Sequence, residues 1–284
     1  MFKKNTKEAK EYTGILDEIK EQQLKAKDMS FKGRLSYFWY YYKIHTIIAV
    51  IVIIFGGSFI YDMATAKDYN FYGILLNAYH IDADAMEDAF GEYAKLDMEN
   101  YECFIDTSTT LSYQTQSEYD LATSQKLIAL VQTKDLDAVV FDAQVFDNFS
   151  FNGMFMDLRN VLTEEELAEY EGNIYYIDYA EVKKAENADD ALLLENQENA
   201  KATYEEIAAA AQTHRYPETM KEPIPVGIFM DSSPFAKKTQ SYDPLVPIYG
   251  FIVTTQRTDT AKQYLEFLWD ESVPFEHMVS SSSY

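Results

Sequence analysis

Eighteen consecutive residues, Ile44–Tyr61 (IHTIIAVIVIIFGGSFIY), carry no charge, and nine of them, Ile47–Phe55, are apolar without a break. As a helix, Ile44–Ile60 covers roughly 25 Å at 1.5 Å per residue. A bilayer core of about 30 Å usually takes around 20 residues. The flanks supply the difference. Tyr37–Tyr42 (YFWYYY) is an unbroken aromatic run and Tyr61 closes the other end. Amphipathic rings favour the headgroup level, and Lys43 can extend its ammonium toward water. A buried core helix rarely follows six aromatic residues in this way. The run therefore predicts a transmembrane helix over 44–61.

The charges divide around that run. Residues 1–46 hold ten Lys/Arg against six Asp/Glu, a balance of +4. Residues 62–284 hold fourteen Lys/Arg against forty-one Asp/Glu, a balance of −27. Lys25, Lys27, Lys32, Arg34 and Lys43 lie on the N-terminal side, and only Lys67 lies close on the other. The positive-inside rule then puts residues 1–43 in the cytoplasm and residues 62–284 outside the cell membrane. Ala64-Thr65-Ala66 offers a small-x-small cleavage site, but 43 residues before the apolar run are too many for an ordinary signal peptide. An uncleaved anchor is expected. Residues 8–28 are Pro-free and mildly periodic, which suits a cytoplasmic helix on anionic lipid or in solvent. The net charge of −23 argues against a nucleic-acid partner, because phosphate neutralisation needs clustered Lys and Arg. The single cysteine, Cys103, excludes an intramolecular disulfide and a Cys-based zinc site.

Strand and helix signals alternate along the outer segment. Phe71–Tyr79, Tyr101–Ile105, Asp137–Phe141, Ile174–Tyr179, Ile224–Met230 and Val246–Thr254 read as strands. Asp84-x-x-Glu87 reads as a capping-box-like start for a helix carrying Met86, Ala89, Phe90, Tyr93 and Leu96. Ser117–Gln132 reads as the next helix, Thr163–Glu166 as a capping box, Asp189–Gln212 as one or two helices, and Thr258–Trp269 as the last. All seven prolines lie at or after Pro217. This alternation predicts an α/β domain with a largely parallel sheet.

Residues 126–162 (KLIALVQTKDLDAVVFDAQVFDNFSFNGMFMDLRNVL) show a helix, a polar turn, an Asp-Val-Val strand, a short helix with a Gly and a Leu-containing close. Residues 249–269 (YGFIVTTQRTDTAKQYLEFLW) show a returning strand and an Ala/Tyr/Leu helix. In this order the pieces resemble the type II extracytoplasmic (periplasmic) solute-binding proteins of ABC importers. The likeness covers about a quarter of the outer segment. The anchor resembles that of small membrane proteins of Gram-positive bacteria. The resemblance implies a periplasmic-binding-type domain over 62–284, with a reduced second lobe because 223 residues are few for two. It also implies a small-molecule ligand and a membrane partner such as a transporter permease.

Catalytic motifs are missing from the sequence. There is no phosphate-binding loop, dinucleotide turn, nucleophile elbow or paired-His zinc helix. His45, His80, His214 and His277 are scattered. A non-enzymatic protein without metal or cofactor is expected. Asp82, Asp84 and Asp88 suit an acidic first helical turn better than a calcium loop. Site residues follow from topology, since ligands of open α/β sheets bind beyond the carboxyl ends of the strands. Those ends give Asn77 and Tyr79, then Asp106, Thr107, Ser108, Thr109 and Thr110, then Asp142, then Asp231, Ser232 and Ser233. The excess of carboxylates favours a neutral or cationic polar solute. The alternative reading is an envelope scaffold or sensor that binds another protein.

Overall fold

The computed structural model describes residues 30–65, 67–112, 117–187 and 202–280. The expected helix 8–28 and the segment 189–201 lie outside them. The chain forms two compact units, Met1–Ala66 and Lys67–Tyr284.

The first unit is built on one helix, α1 (Phe31–Thr65), 35 residues long. At 1.5 Å per residue it reaches about 52 Å. Its segment Tyr42–Tyr61 is long and apolar enough to cross a membrane, and none of it is buried. Every residue from Ile47 to Tyr61 is exposed. Apolar residues therefore surround the helix on all sides, a pattern that water disfavours and lipid accommodates. The aromatic run lies on the same helix, where Phe38 stacks on Tyr42 one turn later with centroids 5.4 Å apart.

The second unit is a three-layer α/β sandwich. Its strands are β1 (Tyr69–Leu75), β2 (Glu102–Asp106), β3 (Ala138–Asp142), β4 (Ile174–Asp178), β5 (Pro223–Phe229) and β6 (Pro247–Phe251). They form one sheet in the order β2-β1-β3-β6-β5-β4. Only β1–β2 and β1–β3 are parallel. The pairs β3–β6, β5–β6 and β4–β5 are antiparallel. The sheet is thus mixed, which corrects the largely parallel sheet expected from alternation. Pairing direction depends on where β6 inserts, about a hundred residues after β3, and no local signal encodes that.

Side chains alternate across the sheet with period two. Phe71 and Leu75 of β1, Ala138 and Val140 of β3, and Tyr249 and Phe251 of β6 enter one core. Tyr72 and Ile74, Val139 and Phe141, and Ile248 enter the other. Helices α2 (Ala83–Tyr93) and α9 (Thr258–Trp269) cover the first face through Met86, Phe90, Tyr264 and Leu268. Helices α3 (Glu118–Thr133), α4 (Ala143–Phe151) and α7 (Tyr204–Thr213) cover the second through Leu127, Phe146, Phe149 and Ala211. Shorter helices α5 (Glu164–Glu169), α6 (Tyr179–Asn187) and α8 (Pro234–Thr239) complete the α-helices among the described residues.

Caps follow the sequence in most places. Ser117 and Thr163 each make a reciprocal capping box, with Asp120 and Glu166 respectively. The start of α2 differs: Asp82, not Asp84, is the cap and accepts the Ala85 N–H. Glu87 is freed for another task, and its Oε1 accepts the Ile105 N–H of the edge strand β2 at 2.8 Å. The opposite edge is closed similarly. The Tyr176 N–H of β4 donates to the His214 carbonyl at 2.9 Å, and His214 Nδ1 lies 2.7 Å from the Tyr176 carbonyl.

Candidate functional site

The ends of β1, β2, β3 and β5 point to one edge of the sheet, because β5 is antiparallel to β6 and β6 to β3. On that edge α4 and α7 part and leave two adjoining cavities that share Ala143, Gln144 and Ile207. The smaller, about 120 Å³, is reached by Asn77, Tyr79, Asp142 and Tyr204. The larger, about 390 Å³, is lined by Asp147, Tyr175, Glu206 and His214 against an apolar wall of Ile207, Ala210 and Ala211. A volume of 300–1,000 Å³ is usual for small-molecule sites.

The sequence-derived residues fall into three groups. Asn77, Tyr79 and Asp142 meet at the smaller cavity. Asn77 takes a left-handed conformation (φ 61°), which Asn tolerates well. Its Nδ2 donates to Asp142 Oδ2 at 2.7 Å and to the Leu111 carbonyl at 2.8 Å, and its Oδ1 accepts the Leu111 N–H. Asp142 caps α4 by accepting the Gln144 and Val145 N–H groups. Burial pushes its carboxyl up, and the bonds from Asn77 and the amides oppose that only in part. Tyr79 is exposed, and burial of its hydroxyl region, with Tyr204 and Asp142 nearby, raises its phenol.

Asp106, Ser108 and Thr109 form a second, self-contained group. Asp106 accepts the Ser108 and Thr109 N–H groups, both their hydroxyls, and Lys126 Nζ at 2.9 Å. Burial pushes this carboxyl up, but the bonds from Thr109, Lys126 and Ser108 outweigh it and hold it well below the usual carboxylate range. The expected mouth after β2 is therefore a closed Asx-type loop. It lines neither cavity.

Asp231 and Ser232 form the third group and also line neither cavity. Asp231 accepts Arg215 Nη2 at 2.7 Å, and Ser232 Oγ donates to Asn173 Oδ1 at 3.1 Å. Ser233 is the buried cap of α8. Arg215 stacks over Phe229 with its guanidinium carbon 3.8 Å from the ring centroid.

Asp147, Tyr175, Glu206 and His214 were not expected from the sequence. They belong to α4, β4 and α7, and their meeting depends on how α7 docks. Tyr175 Oη donates to Asp147 Oδ1 at 2.7 Å, and His214 Nε2 lies 3.6 Å from the same oxygen. The His214 ring stacks flat on Tyr175, with centroids 4.3 Å apart and planes 5° apart. Burial, then the Asp147 charge, raises the Tyr175 phenol far above its ordinary value. Among the described residues no Ser, Thr or Cys side chain hydrogen-bonds His214, and no group of three His, Cys, Asp or Glu is placed to hold a metal ion. Among the described residues neither cavity has Lys or Arg in its lining. Cys103 is buried, and burial pushes its thiol up to about 12, so it behaves as a small apolar side chain.

Compared with known proteins, the chain matches no family model, no curated protein and no solved structure. These comparisons give no support to a resemblance to solute-binding proteins.

Proposed function

We propose that the chain is a single-pass membrane protein, with its N-terminus cytoplasmic and its Lys67–Tyr284 domain outside. In this reading the domain binds a small neutral or cationic polar solute in the cleft between α4 and α7. A transporter permease in the same membrane would be the recipient. The observation that carries the reading is the pair of adjoining cavities on the carboxyl edge of the sheet, lined by carboxylates and, among the described residues, by no Lys or Arg. The exposed apolar length of α1 and the basic residues before it support the tether.

A thermal-shift screen of the full chain in detergent, against sugars, amino acids, amines and short peptides, tests the binding reading. A solute at 100 times its Kd adds about 2.7 kcal/mol to stability. A flat response to the whole screen refutes it. Protease treatment of intact cells tests orientation: residues 62–284 should be cut and residues 1–43 protected.

A second reading is a non-enzymatic scaffold or sensor. It draws on Leu121 and Ile128, which α3 leaves exposed on the outer face. Crosslinking through a photoreactive residue at position 121 should then trap a specific envelope protein.

A further inference from the structure

Among the described residues the charged and aromatic side chains lining the larger cavity present acceptors, and the neutral amides of Gln144 and Asn148 add N–H donors without charge. His214 Nδ1 lies 2.7 Å from the Tyr176 carbonyl, and a carbonyl only accepts, so Nδ1 carries the proton. In the neutral ring Nε2 is then left as an acceptor on the Asp147 side, 3.6 Å from Asp147 Oδ1. Tyr175 spends its one donor on that same Oδ1. Among the described residues Asp147 Oδ2 takes no hydrogen bond, although Asp147 lines the cavity and is half-buried. Glu206 adds a second carboxylate. Ile207, Ala210 and Ala211 form an apolar stretch of the wall.

We infer that the ligand of this cavity is a small alkylammonium ion, its ammonium held between Asp147 Oδ2 and His214 Nε2 and its carbon chain against Ile207, Ala210 and Ala211. The inference rests on the binding reading above and narrows it to one chemical class. An anion would meet two carboxylates with no Lys or Arg among the described lining residues. A neutral alcohol brings one donor to a site with several acceptors. A quaternary ammonium brings charge without N–H groups. A primary ammonium brings both the charge and three donors. A divalent metal would find, among the described residues, no group of three His, Cys, Asp or Glu side chains placed to hold it.

The test is isothermal titration of the full chain in detergent micelles with butylammonium, 1-butanol and butyrate, which share a carbon chain and differ in charge. Butylammonium should bind at least about ten-fold tighter than butanol, the scale of one charge-assisted hydrogen bond, and butyrate weakest of all. Asp147→Asn should weaken butylammonium at least about ten-fold, while Tyr175→Phe, which keeps the carboxylate, should leave binding within about three-fold. The wild-type comparison needs no variant to fold. Butanol or butyrate binding as tightly as butylammonium overturns the assignment, and so does zinc chloride binding tighter than all three. If a neutral sugar or amide raises the melting point while no amine does, the amine assignment fails and the binding reading stands. If no solute of any charge stabilises the chain, both fail.

Discussion

Replacing Gly227 with alanine tests how α4, and with it Asp147, is held against the sheet. A Cβ at Gly227 of β5 would lie 2.5 Å from Phe146 Cζ, 2.8 Å from Phe146 Cε1 and 2.9 Å from Ile248 Cγ2. Ordinary carbon contacts are about 3.5–4.0 Å, so the ring must retreat by about 1 Å. It has nowhere to go. Phe146 is stacked face to face on Phe155 at 4.1 Å and meets the Tyr175 ring edge to face at 5.0 Å. Phe155 in turn presses on Gly250, where a Cβ would lie 2.7 Å from its Cδ1. Overpacking of this kind costs about 1–3 kcal/mol, and a ring blocked on both sides belongs at the upper end. For a unit of roughly 200 residues each kcal/mol moves the melting point by about 2–4 °C, so Gly227→Ala should lower it by about 6–12 °C. Differential scanning calorimetry of the full chain in detergent reads this directly. Adding Phe146→Leu should recover part of the loss, a non-additivity expected of touching residues. Phe146 immediately precedes Asp147, so the single variant should also weaken any cavity ligand. A melting point within about 1 °C of wild type would refute the packing argument.

Other expectations concern the polar groups near the carboxyl edge. Asp106→Asn should cost about 2–3 kcal/mol, because the loop loses a charged acceptor shared by Ser108, Thr109 and Lys126; urea unfolding at pH 7 measures it. The folded Asp106 carboxyl titrates below its unfolded value of about 3.9, so its stabilisation is present above that pH and lost as pH falls toward the folded value. The variant should therefore lose less stability than wild type between about pH 4 and pH 2. Asp142 has the opposite sign, since its folded carboxyl is raised, so its contribution must not be read into the same acid slope. Asn77→Gly should lose about 1–3 kcal/mol through the bonds to Leu111 and Asp142, and Asn77→Ala about 1 kcal/mol more, because φ is positive there; chemical denaturation separates the two.

Much of the second unit was legible because its strands are short apolar runs bounded by polar turns. Phe71–Leu75, Val139–Phe141 and Ile248–Phe251 bury side chains on both faces, and such runs stand out without alternation. The last helix was legible to its boundaries, Thr258–Trp269, because Ala261, Tyr264, Leu265 and Leu268 repeat at helical spacing. The direction of β6 was not, since pairing is decided by distant chain. The start of α2 was ambiguous because Asp82 and Asp84 both suit a cap, and only the fold shows which reaches the Ala85 N–H. Asn77 and Asp142 could be found as strand-end polar residues, and they do meet. Asp106 and Asp231 have the same signature, but Lys126 and Arg215 draw them into ion pairs away from the cavities. Asp147 and His214 carry no local mark at all: their proximity arises only when α7 packs beside α4.

The closure of the sheet edges by Glu87 and His214 has a consequence for crowding. Under the anchoring proposed for α1, the domain would search two dimensions, and neighbouring copies would meet often and in similar orientations. An open strand under those conditions would template pairing with the next copy. Here the Ile105 N–H on one edge and both polar groups of Tyr176 on the other are already spoken for by side chain or backbone. Each such contact removes a backbone group that a neighbouring copy could otherwise pair with. His214 holds the Tyr176 carbonyl with one ring nitrogen while the other faces Asp147, so substituting it would free that edge carbonyl, leave the Tyr176 N–H on the backbone of residue 214, and alter the cavity in a single step.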